Sequence, residues 1–404
     1  MTPSDTLPLP YRRDAGCPFD PDPEMSRLRA QEPITRITIN GGDVVWLVTR
    51  FDDGRDILGD RRFSSELTPL GIVLPEPGNR TLAEELQDQQ PGTFIECDPP
   101  EHTRLRQMVA GEFSAQRMTR LRPRIEAIVE HHLDAMAAAG PPVDLVEEFA
   151  LPVPSTVICE MLGVPKDFGF DFAGHTRIMT DVMSSLETLI PARNALRAGM
   201  RELVEHNRKQ PGDNVLGRII QEHGASVTDQ ELVGIGNLLL VAGHETTANM
   251  LGIGTLALLR HPGQLALLRD DPHIVERAVD ELVRYVSIPN HGEIRTATAD
   301  VTVNGTLIRD GEQVLVAIPS ANRDESRFPD PDRLDFTREP RTHLAYGHGV
   351  HYCVGVPLAR LEMHLAFPAL LRRFPQLRLA VPFEDVSYRR SNVTYGVHSL
   401  PVAW

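Results

Sequence analysis

The glycine-rich stretch YGHGVHYCVG, residues 346–355, contains the cysteine with the clearest potential for chemistry. Its three glycines allow the backbone to bend tightly and to approach another group closely. Cys353 lies just before a predicted helix, Pro357–Leu371, whose N-terminal amides and dipole would stabilise a thiolate. A thiolate presented in this way fits the axial ligand of a heme iron.

Two other interpretations of this stretch stay open. A single cysteine is more often an inert buried side chain than a reactive one. His348, His351 and Cys353 could instead bind zinc, although no fourth ligand is evident nearby in the sequence.

A second set of polar residues lies in the middle of a long predicted helix. Thr228–Glu231 reads as a capping box and His261-Pro262-Gly263 as a stop, which together predict a helix over Asp229–Arg260. The middle of this helix, Leu238–Leu251, is apolar nearly all round and should be buried. It nevertheless contains His244-Glu245-Thr246-Thr247, and buried polar groups are costly unless they are used. A carboxylate beside a hydroxyl would suit proton delivery into a buried pocket.

The pair His244-Glu245 also begins the zinc-protease pattern H-E-x-x-H. Because Ala248 occupies the position of the second histidine, the sequence excludes that interpretation. A buried polar pair satisfied by its neighbours remains as the alternative.

Two further pairs of charged residues share a helix face. His102 and Arg106 are four residues apart in a helix that opens at Pro99-Pro100, and they could either be solvated or hold a buried anion. Glu281 and Arg284 are three residues apart and can form an ion pair of a kind that is common on helices.

The composition argues against several classes of protein. The 404 residues include 41 Lys and Arg against 56 Asp and Glu, a net charge of −15, which argues against nucleic-acid binding. Four scattered cysteines are too few for a disulfide framework, so we expect a cytoplasmic protein. Residues 1–19 contain no apolar segment of the signal-peptide kind, and the central apolar run Leu238–Ala242 is far shorter than the ~20 residues of a membrane span. We therefore expect no membrane association.

The elements that must position these residues are mostly helices. Helical patterns run from Pro99 to Leu282, and strand patterns lie at both ends of the chain. A first hairpin is predicted from Ile34–Ile39 and Val44–Val48 across an Asn-Gly-Gly turn, and Asn304-Gly305 is the strongest signal for a second one. No repeat or linker marks a boundary, so we expect a single domain over 1–404, mainly α with a small β region (α+β). Long loops are uncommon in compact domains unless they have a function, so we expect one for the loop Thr68–Pro91.

Taken in order along the chain, these segments resemble the cytochrome P-450 family of heme-thiolate monooxygenases. Ala242–Thr247 resembles the family's oxygen-activation segment, and Glu281 and Arg284 match its E-x-x-R pair, with Arg333 as the expected third member. The family's heme-binding loop is matched at Gly347, Gly349, His351, Cys353 and Gly355. Tyr346 is a departure, because the family usually has Phe there, and its hydroxyl could alter hydrogen bonding to the sulfur.

The resemblance implies the cytochrome P-450 fold, with a long central helix over heme b (iron protoporphyrin IX), and it implies roles for individual residues. Cys353 would be the axial ligand, Tyr346 and Gly347 of the same loop would also bind the heme, and the propionates would be held by His102, Arg106, Arg295 and His351. Glu245 would relay protons and Thr246 would hold the water or hydroperoxide. The implied pocket walls are Leu238, Val241, Ala242, Gly243, Ile288, Asn290, His291, Val393 and Thr394. Glu281, Arg284 and Arg333 would brace the heme loop.

The resemblance also implies partners. The expected reaction hydroxylates or epoxidises a hydrophobic small molecule (polyketide, terpenoid or sterol-like) with O2, and the protein would act as a monomer. No reductase domain is expected within the chain, so electrons would come from a ferredoxin and an NAD(P)H-dependent ferredoxin reductase. The ferredoxin would dock near a group of arginines, Arg104, Arg360, Arg372 and Arg373.

Two other heme functions remain as rivals. A peroxide-driven peroxygenase would not need the proton relay that Glu245 and Thr246 suggest. A non-catalytic heme sensor or carrier is the alternative from outside the enzymes.

Overall fold

The computed structural model describes residues 13, 16–39, 44–66, 90–165, 168–181, 184–290 and 292–404. Three sequence-based expectations fall outside these residues: the turn at 40–42, nearly all of the predicted loop Thr68–Pro91, and the pocket residue His291.

Helices make up most of the described chain. In chain order they are α1 (Pro23–Gln31), α2 (Phe51–Gly59), α3 (Glu101–Ala110), α4 (Ala115–Ala139), α5 (Pro152–Leu162), α6 (Phe172–Thr180), α7 (Leu186–Lys209), α8 (Val215–His223), α9 (Asp229–Arg260), α10 (Pro262–Asp270), α11 (Val275–Val286), α12 (Ile318–Ala321) and α13 (Val356–Arg373). The strands are β1 (Ile34–Thr38), β2 (Val44–Val48), β3 (Phe63–Ser64), β4 (Val143–Asp144), β5 (Glu293–Ala297), β6 (Val301–Val303), β7 (Thr306–Ile308), β8 (Gln313–Val316), β9 (Arg378–Leu379) and β10 (Pro401–Ala403). The predicted class, mainly α with a small β region, is confirmed.

The chain forms two compact units. The described residues of Met1–Asp88, with Arg277–Cys353 and Arg390–Tyr395, form the first, here called the sheet unit. Gln89–Glu276, Val354–Arg389 and Gly396–Trp404 contribute the second, the helical unit. A single domain over the whole chain stays a prediction.

The sheet unit is built on a five-stranded sheet in the order β1-β2-β8-β5-β3. The first two strands pair antiparallel, with Ile34 opposite Val48, as the sequence predicts, and β8 then joins β2 in parallel. The separate hairpin β6-β7 turns at Asn304 and Gly305, whose φ angles of 46° and 80° are those of the turn that Asn-Gly favours. The five-stranded sheet therefore combines strands from both ends of the chain, because β1 and β2 lie in one sheet with β8 and β5.

A buried ion network ties the end of α11 to the chain after α12. Both carboxylate oxygens of Glu281 accept hydrogen bonds from Arg284, at 2.7 and 2.8 Å. The same guanidinium donates to the carbonyls of Asn322 and Pro331, at 2.8 and 3.0 Å. Arg338 adds a second cation, with its Nε 3.1 Å from Glu281 Oε1. The charges are thus buried with their hydrogen bonds satisfied, the condition under which a buried ion pair is tolerated.

The expectation that the Arg333 side chain completes this network was wrong. That side chain is 68% exposed, and its nearest acidic partner is Asp335, at 3.9 Å. A turn closed by the Arg338 N–H and the Asp335 carbonyl, at 3.1 Å, brings Arg338 back to Glu281 instead. Arg333 contributes only its backbone carbonyl, which accepts from Arg338 at 3.0 Å.

The helical unit is organised around α9, which spans the predicted residues Asp229–Arg260. Its start is the predicted capping box: the Thr228 hydroxyl accepts from the Glu231 N–H, and the Glu231 carboxylate accepts from the Thr228 N–H. Helices α5, α7 and α13 pack against it. At Gly254 a Cβ atom would lie 2.8 Å from the Phe367 ring, so glycine is what allows α13 to approach this closely.

A small sheet in the order β4-β10-β9 completes the helical unit. Among the helices of the described residues, none has the length and apolar character needed to cross a membrane.

The corrected ion network predicts that two neighbouring arginines differ sharply in their effect on stability. Arg338→Met should lower the free energy of unfolding by roughly 2–4 kcal/mol, because it removes a cation and a hydrogen bond from the buried Glu281 carboxylate, together with hydrogen bonds to backbone carbonyls. Arg333→Met, the matched control, should change it by no more than about 0.5 kcal/mol. Urea unfolding of the two variants measures this, and equal effects would contradict the assignment.

Candidate functional site

The loop that carries Cys353 is held by its own backbone. The Gly347 N–H donates to the Leu344 carbonyl at 2.8 Å, and the Cys353 N–H donates to the Tyr346 carbonyl at 3.0 Å. Gly349 has a φ angle of +73°, and a Cβ atom there would lie 2.3 Å from the Leu58 carbonyl oxygen. The Cys353 side chain is nevertheless exposed. A fixed backbone therefore presents an open sulfur.

A chain of hydrogen bonds connects this loop to the buried ion network. Arg284 binds the Asn322 carbonyl, and the Asn322 side chain accepts from the Leu344 N–H at 2.7 Å. Leu344 in turn binds Gly347. This arrangement supports the predicted bracing role of Glu281 and Arg284. Asn322 was not predicted from the sequence, because an asparagine between helices carries no sign of its distant partner.

Two predicted propionate-binding residues belong to the sheet unit. Arg295 is 8% exposed, and its guanidinium donates to the Ile294 carbonyl at 2.7 Å and to the Glu293 carboxylate at 3.2 Å. His351 is half-buried at the end of the Cys353 loop. The ring of Tyr346, the predicted departure, lies 5.4 Å from the ring of His343.

The predicted wall residues of the sheet unit lie on two segments that bind each other. The Asn290 N–H donates to the Val393 carbonyl at 3.0 Å, and Pro289 and Thr394 form a β-bridge. Val393 is 48% exposed, so it is available to a ligand.

The side chain of Asn290 has a different function from the one predicted. It is 1% exposed, and its amide donates to the carbonyls of Arg390 and Asn392, at 3.0 and 3.2 Å. Asn290 therefore holds the two segments together and is not an open wall. Ile288, 8% exposed, binds the same second segment through its carbonyl.

In the helical unit, α9 has one face that protein atoms leave open. Leu238, Val241 and Thr246 are half-buried and Ala242 is exposed, although the residues on the other faces of this stretch are mostly buried. These four positions share a face by their spacing. The Thr246 hydroxyl donates to the Ala242 carbonyl at 2.8 Å, which leaves its oxygen free to accept.

Gly243, predicted to line the pocket, has a packing reason to be glycine. A Cβ atom there would lie 3.0 Å from the side chain of Ile158 on α5. The missing side chain therefore accommodates a neighbouring helix.

Glu245 is buried against a cation that the sequence analysis missed. Its Oε1 accepts a hydrogen bond from Arg389 Nη1, and both side chains are almost fully buried. His244 lies beside it, with Nε2 3.8 Å from Glu245 Oε2, and burial lowers the pKa of this histidine. A buried carboxylate requires a cation, but 144 positions separate the two residues and no local pattern identifies the arginine.

The remaining predicted residues also lie in the helical unit. His102 on α3 is 2% exposed, and burial, with the nearby charge of Arg106, lowers its pKa. Of the four proposed docking arginines, Arg104 is paired with Glu101 and Glu231, and Arg373 with Asp134. These pairs reduce the positive charge available to a partner, and docking there stays a prediction.

The donor set fits a heme and not a bare metal ion. No group of three His, Cys, Asp or Glu side chains within the described ranges is arranged to hold a metal, so the zinc alternative lacks its ligands. A heme iron needs only one such ligand from the protein, because the porphyrin supplies the others. An exposed cysteine on a braced loop meets that requirement.

The loop geometry predicts different effects of alanine at two neighbouring glycines. Gly349→Ala adds a clash with the Leu58 carbonyl to an unfavourable positive φ angle, whereas Gly347→Ala adds only the positive φ angle, about 1–2 kcal/mol. We expect Gly349→Ala to lose most of its bound heme and Gly347→Ala to keep more of it. The heme-to-protein ratio after purification measures this, and the reverse order would contradict the loop geometry.

Comparisons with known proteins agree with this geometry. The sequence profile described as cytochrome P-450 matches residues 173–382. Cytochrome P-450-SU2 of Streptomyces griseolus is 44% identical over 100% of this chain and 98% of its own, and pentalenic acid synthase of Streptomyces avermitilis is 41% identical over 99% and 98%.

Solved structures extend the agreement to three dimensions. A crystal structure of CYP105P1 in complex with filipin I superposes with a TM-score of 0.91 at 40% identity, covering 99% of both chains. The expected cytochrome P-450 fold is therefore confirmed. The chain belongs to the cytochrome P-450 family and is a heme-thiolate monooxygenase.

Proposed function

We propose that this monooxygenase hydroxylates or epoxidises a hydrophobic small molecule of the polyketide, terpenoid or sterol kind. Electrons would come from a ferredoxin and an NAD(P)H-dependent ferredoxin reductase. Two relatives named pentalenic acid synthase and vitamin D3 dihydroxylase, each 41% identical, support an apolar small-molecule substrate. The observation that carries the proposal is the exposed Cys353 thiol on its braced loop.

When bound, the heme supplies reductive activation of O2, and thiolate donation favours cleavage of the O–O bond. The chain's own contribution begins with Cys353, whose sulfur is open while its backbone is fixed. The residues proposed to hold the propionates are His102, Arg106, Arg295 and His351. Arginine suits this purpose because its planar guanidinium donates several hydrogen bonds to a carboxylate.

Glu245 and Thr246 are proposed to move protons. The Thr246 hydroxyl lies on the open face of α9, and its oxygen can accept a hydrogen bond from a water while its O–H donates to the Ala242 carbonyl. Glu245 is the neighbouring buried carboxylate, held by Arg389. A positioned acid next to a hydroxyl is an arrangement suited to general acid catalysis.

Substrate contacts are proposed from the open apolar positions. The face of α9 offers Leu238, Val241 and Ala242, and Val393 is an exposed apolar side chain of the sheet unit. Burial of apolar substrate surface on such side chains would supply binding free energy without fixing a particular chemical group.

The axial-ligand proposal predicts the loss of the thiolate spectrum in Cys353→Ser. The reduced carbon monoxide complex of this variant should lack the characteristic heme-thiolate Soret band, because a serine oxygen replaces the sulfur. Cys159→Ala serves as control, since burial raises the pKa of that thiol to about 11 and keeps it protonated. An unchanged band in Cys353→Ser would exclude Cys353 as the ligand.

The proton-delivery proposal predicts uncoupling in Thr246→Ala. Iron reduction and O2 binding need no proton from Thr246, so NAD(P)H oxidation should continue while product falls and peroxide is released. Loss of a placed proton donor typically costs a factor of roughly 10²–10⁴ in the step it serves. The measurement is product formed per NAD(P)H oxidised, with a substrate selected by its ligand-induced spectral shift.

The matched control is Thr255→Ala. The Thr255 hydroxyl makes the same kind of bond on the same helix, to the Leu251 carbonyl at 2.7 Å, but it is buried and lies outside the motif. Thr255→Ala should keep its coupling. Unchanged coupling in Thr246→Ala would show that another group delivers the proton.

A further inference from the structure

Three buried side chains of the helical unit leave hydrogen-bonding atoms unused. His244, Glu245 and Arg389 are 2%, 2% and 6% exposed. Among the residues that the structure describes, His244 Nε2, Glu245 Oε2 and Arg389 Nε have no hydrogen-bond partner. Buried polar atoms are nearly always satisfied, and leaving one without a partner costs about 1–3 kcal/mol. A cluster of three calls for a functional reason.

The backbone fixes which nitrogen of His244 carries a proton. Its Nδ1 lies 3.0 Å from the Leu240 carbonyl oxygen. Because a carbonyl oxygen can only accept, Nδ1 must donate, and Nε2 of the neutral ring then bears a lone pair. That lone pair lies 3.8 Å from Glu245 Oε2, which is also an acceptor. One added proton would turn two facing acceptors into a donor and an acceptor.

Arg389 determines which oxygen of Glu245 can receive that proton. Its Nη1 donates to Oε1, so Oε2 is the oxygen left open. The backbone of Arg389 is itself held in place. Its backbone N–H donates to the Gly396 carbonyl at 2.9 Å, and the adjacent Tyr388 forms a β-bridge with Val397. The carboxylate is therefore positioned with one oxygen bound to a cation and the other facing the histidine.

We propose that His244 supplies the proton that Glu245 passes on. The Nε2–H bond of the imidazolium breaks and an O–H bond forms at Glu245 Oε2, which leaves a neutral imidazole protonated on Nδ1 and a neutral carboxylic acid. The imidazole regains its Nε2–H from water that reaches the cluster during fluctuations of the surrounding side chains, because the ring is only 2% exposed. The net charge of the three groups stays the same during the transfer, so no new charge is created, but Arg389 lacks its anionic partner until Glu245 passes the proton on.

This proposal rests on the proposed relay role of Glu245 and adds the residue that feeds it. His244 acts through Glu245, so it is a positioning and proton-supplying residue and does not itself contact substrate.

The charges around the histidine give the transfer a pH dependence. Burial lowers the pKa of His244, the Glu245 carboxylate raises it, and the Arg389 guanidinium lowers it further. Among the described residues, His398 also interacts with Arg389, since burial and that guanidinium both lower its pKa, and Asp181 in turn raises the pKa of His398. The proton-carrying form of His244 is therefore scarce at neutral pH and increases as the pH falls.

The first experiment observes His244 without measuring turnover. The holoenzyme, labelled with ¹⁵N-histidine, is titrated by NMR in its diamagnetic reduced carbon monoxide form, and His244→Asn identifies the signal. We expect His244 to titrate below the ordinary histidine range. Glu245→Gln should lower its pKa further, and Arg389→Gln should raise it, because each removes a charge of opposite sign. A signal that does not titrate, or that neither substitution moves, would overturn the proposal.

The second experiment tests whether the proton is used. Product formed per NAD(P)H oxidised is measured against pH for the wild type and for His244→Asn, whose amide can still donate to the Leu240 carbonyl. Wild-type coupling should rise as the pH falls through the pKa of His244. In the variant it should be independent of pH and lower, by on the order of 10²-fold in the proton-dependent step.

His261, directly after the end of α9, provides a matched control. His261 Nδ1 lies 2.8 Å from the Ala257 carbonyl, the same kind of contact four residues back, and His261→Asn should keep the wild-type pH profile. A wild-type profile in His244→Asn would overturn the proposal even if the NMR titration succeeds. Failure of the proposed function is distinguishable, because the wild type would then lack the thiolate band or form no product at any pH.

Discussion

The sheet unit depends on one requirement: a cysteine must be held still while its sulfur stays uncovered. A side chain is usually fixed by packing atoms around it, but a sulfur proposed to bind a heme iron cannot be covered in that way. Here the backbone is fixed instead. The loop around Cys353 is bonded to itself and to Leu344, Leu344 to Asn322, and Asn322 to Arg284. A fully buried arginine is costly on its own, and Glu281 and several carbonyls offset that cost.

The ion clusters around Glu281 and Glu245, both buried, illustrate opposite uses of charge. Around Glu281 both carboxylate oxygens are bonded, which favours a single rigid arrangement. Around Glu245 one oxygen is bonded and the other is not. A satisfied cluster gains nothing from an added proton, whereas an incomplete one has a place to receive it. Satisfaction of hydrogen bonds thus separates a structural ion pair from one suited to chemistry.

Local rules predicted the parts of the fold that local interactions decide. The capping box at Thr228 set the start of α9, and Asn304-Gly305 set the second hairpin, because each signal acts within a few residues. The errors were all long-range or tertiary. Arg338 replaces Arg333 because of a turn whose direction the motif does not encode, and Arg389 reaches Glu245 from a distant part of the chain. A buried carboxylate indicated that a cationic partner was needed, but the identity of that arginine depends on the tertiary structure.

The open face of α9 has a consequence for how such enzymes diversify. Leu238, Val241 and Ala242 point away from the helix-packing contacts, while Gly243 and Gly254 on other faces are constrained by Ile158 and Phe367. If the first face contacts substrate as proposed, substitutions there change the shape presented to a small molecule and leave the neighbouring helices undisturbed. Specificity and foldability would then be encoded at separate angular positions of one helix. Selection could then explore new substrates along a single stripe of side chains, which agrees with differently named relatives at 41% identity to this chain.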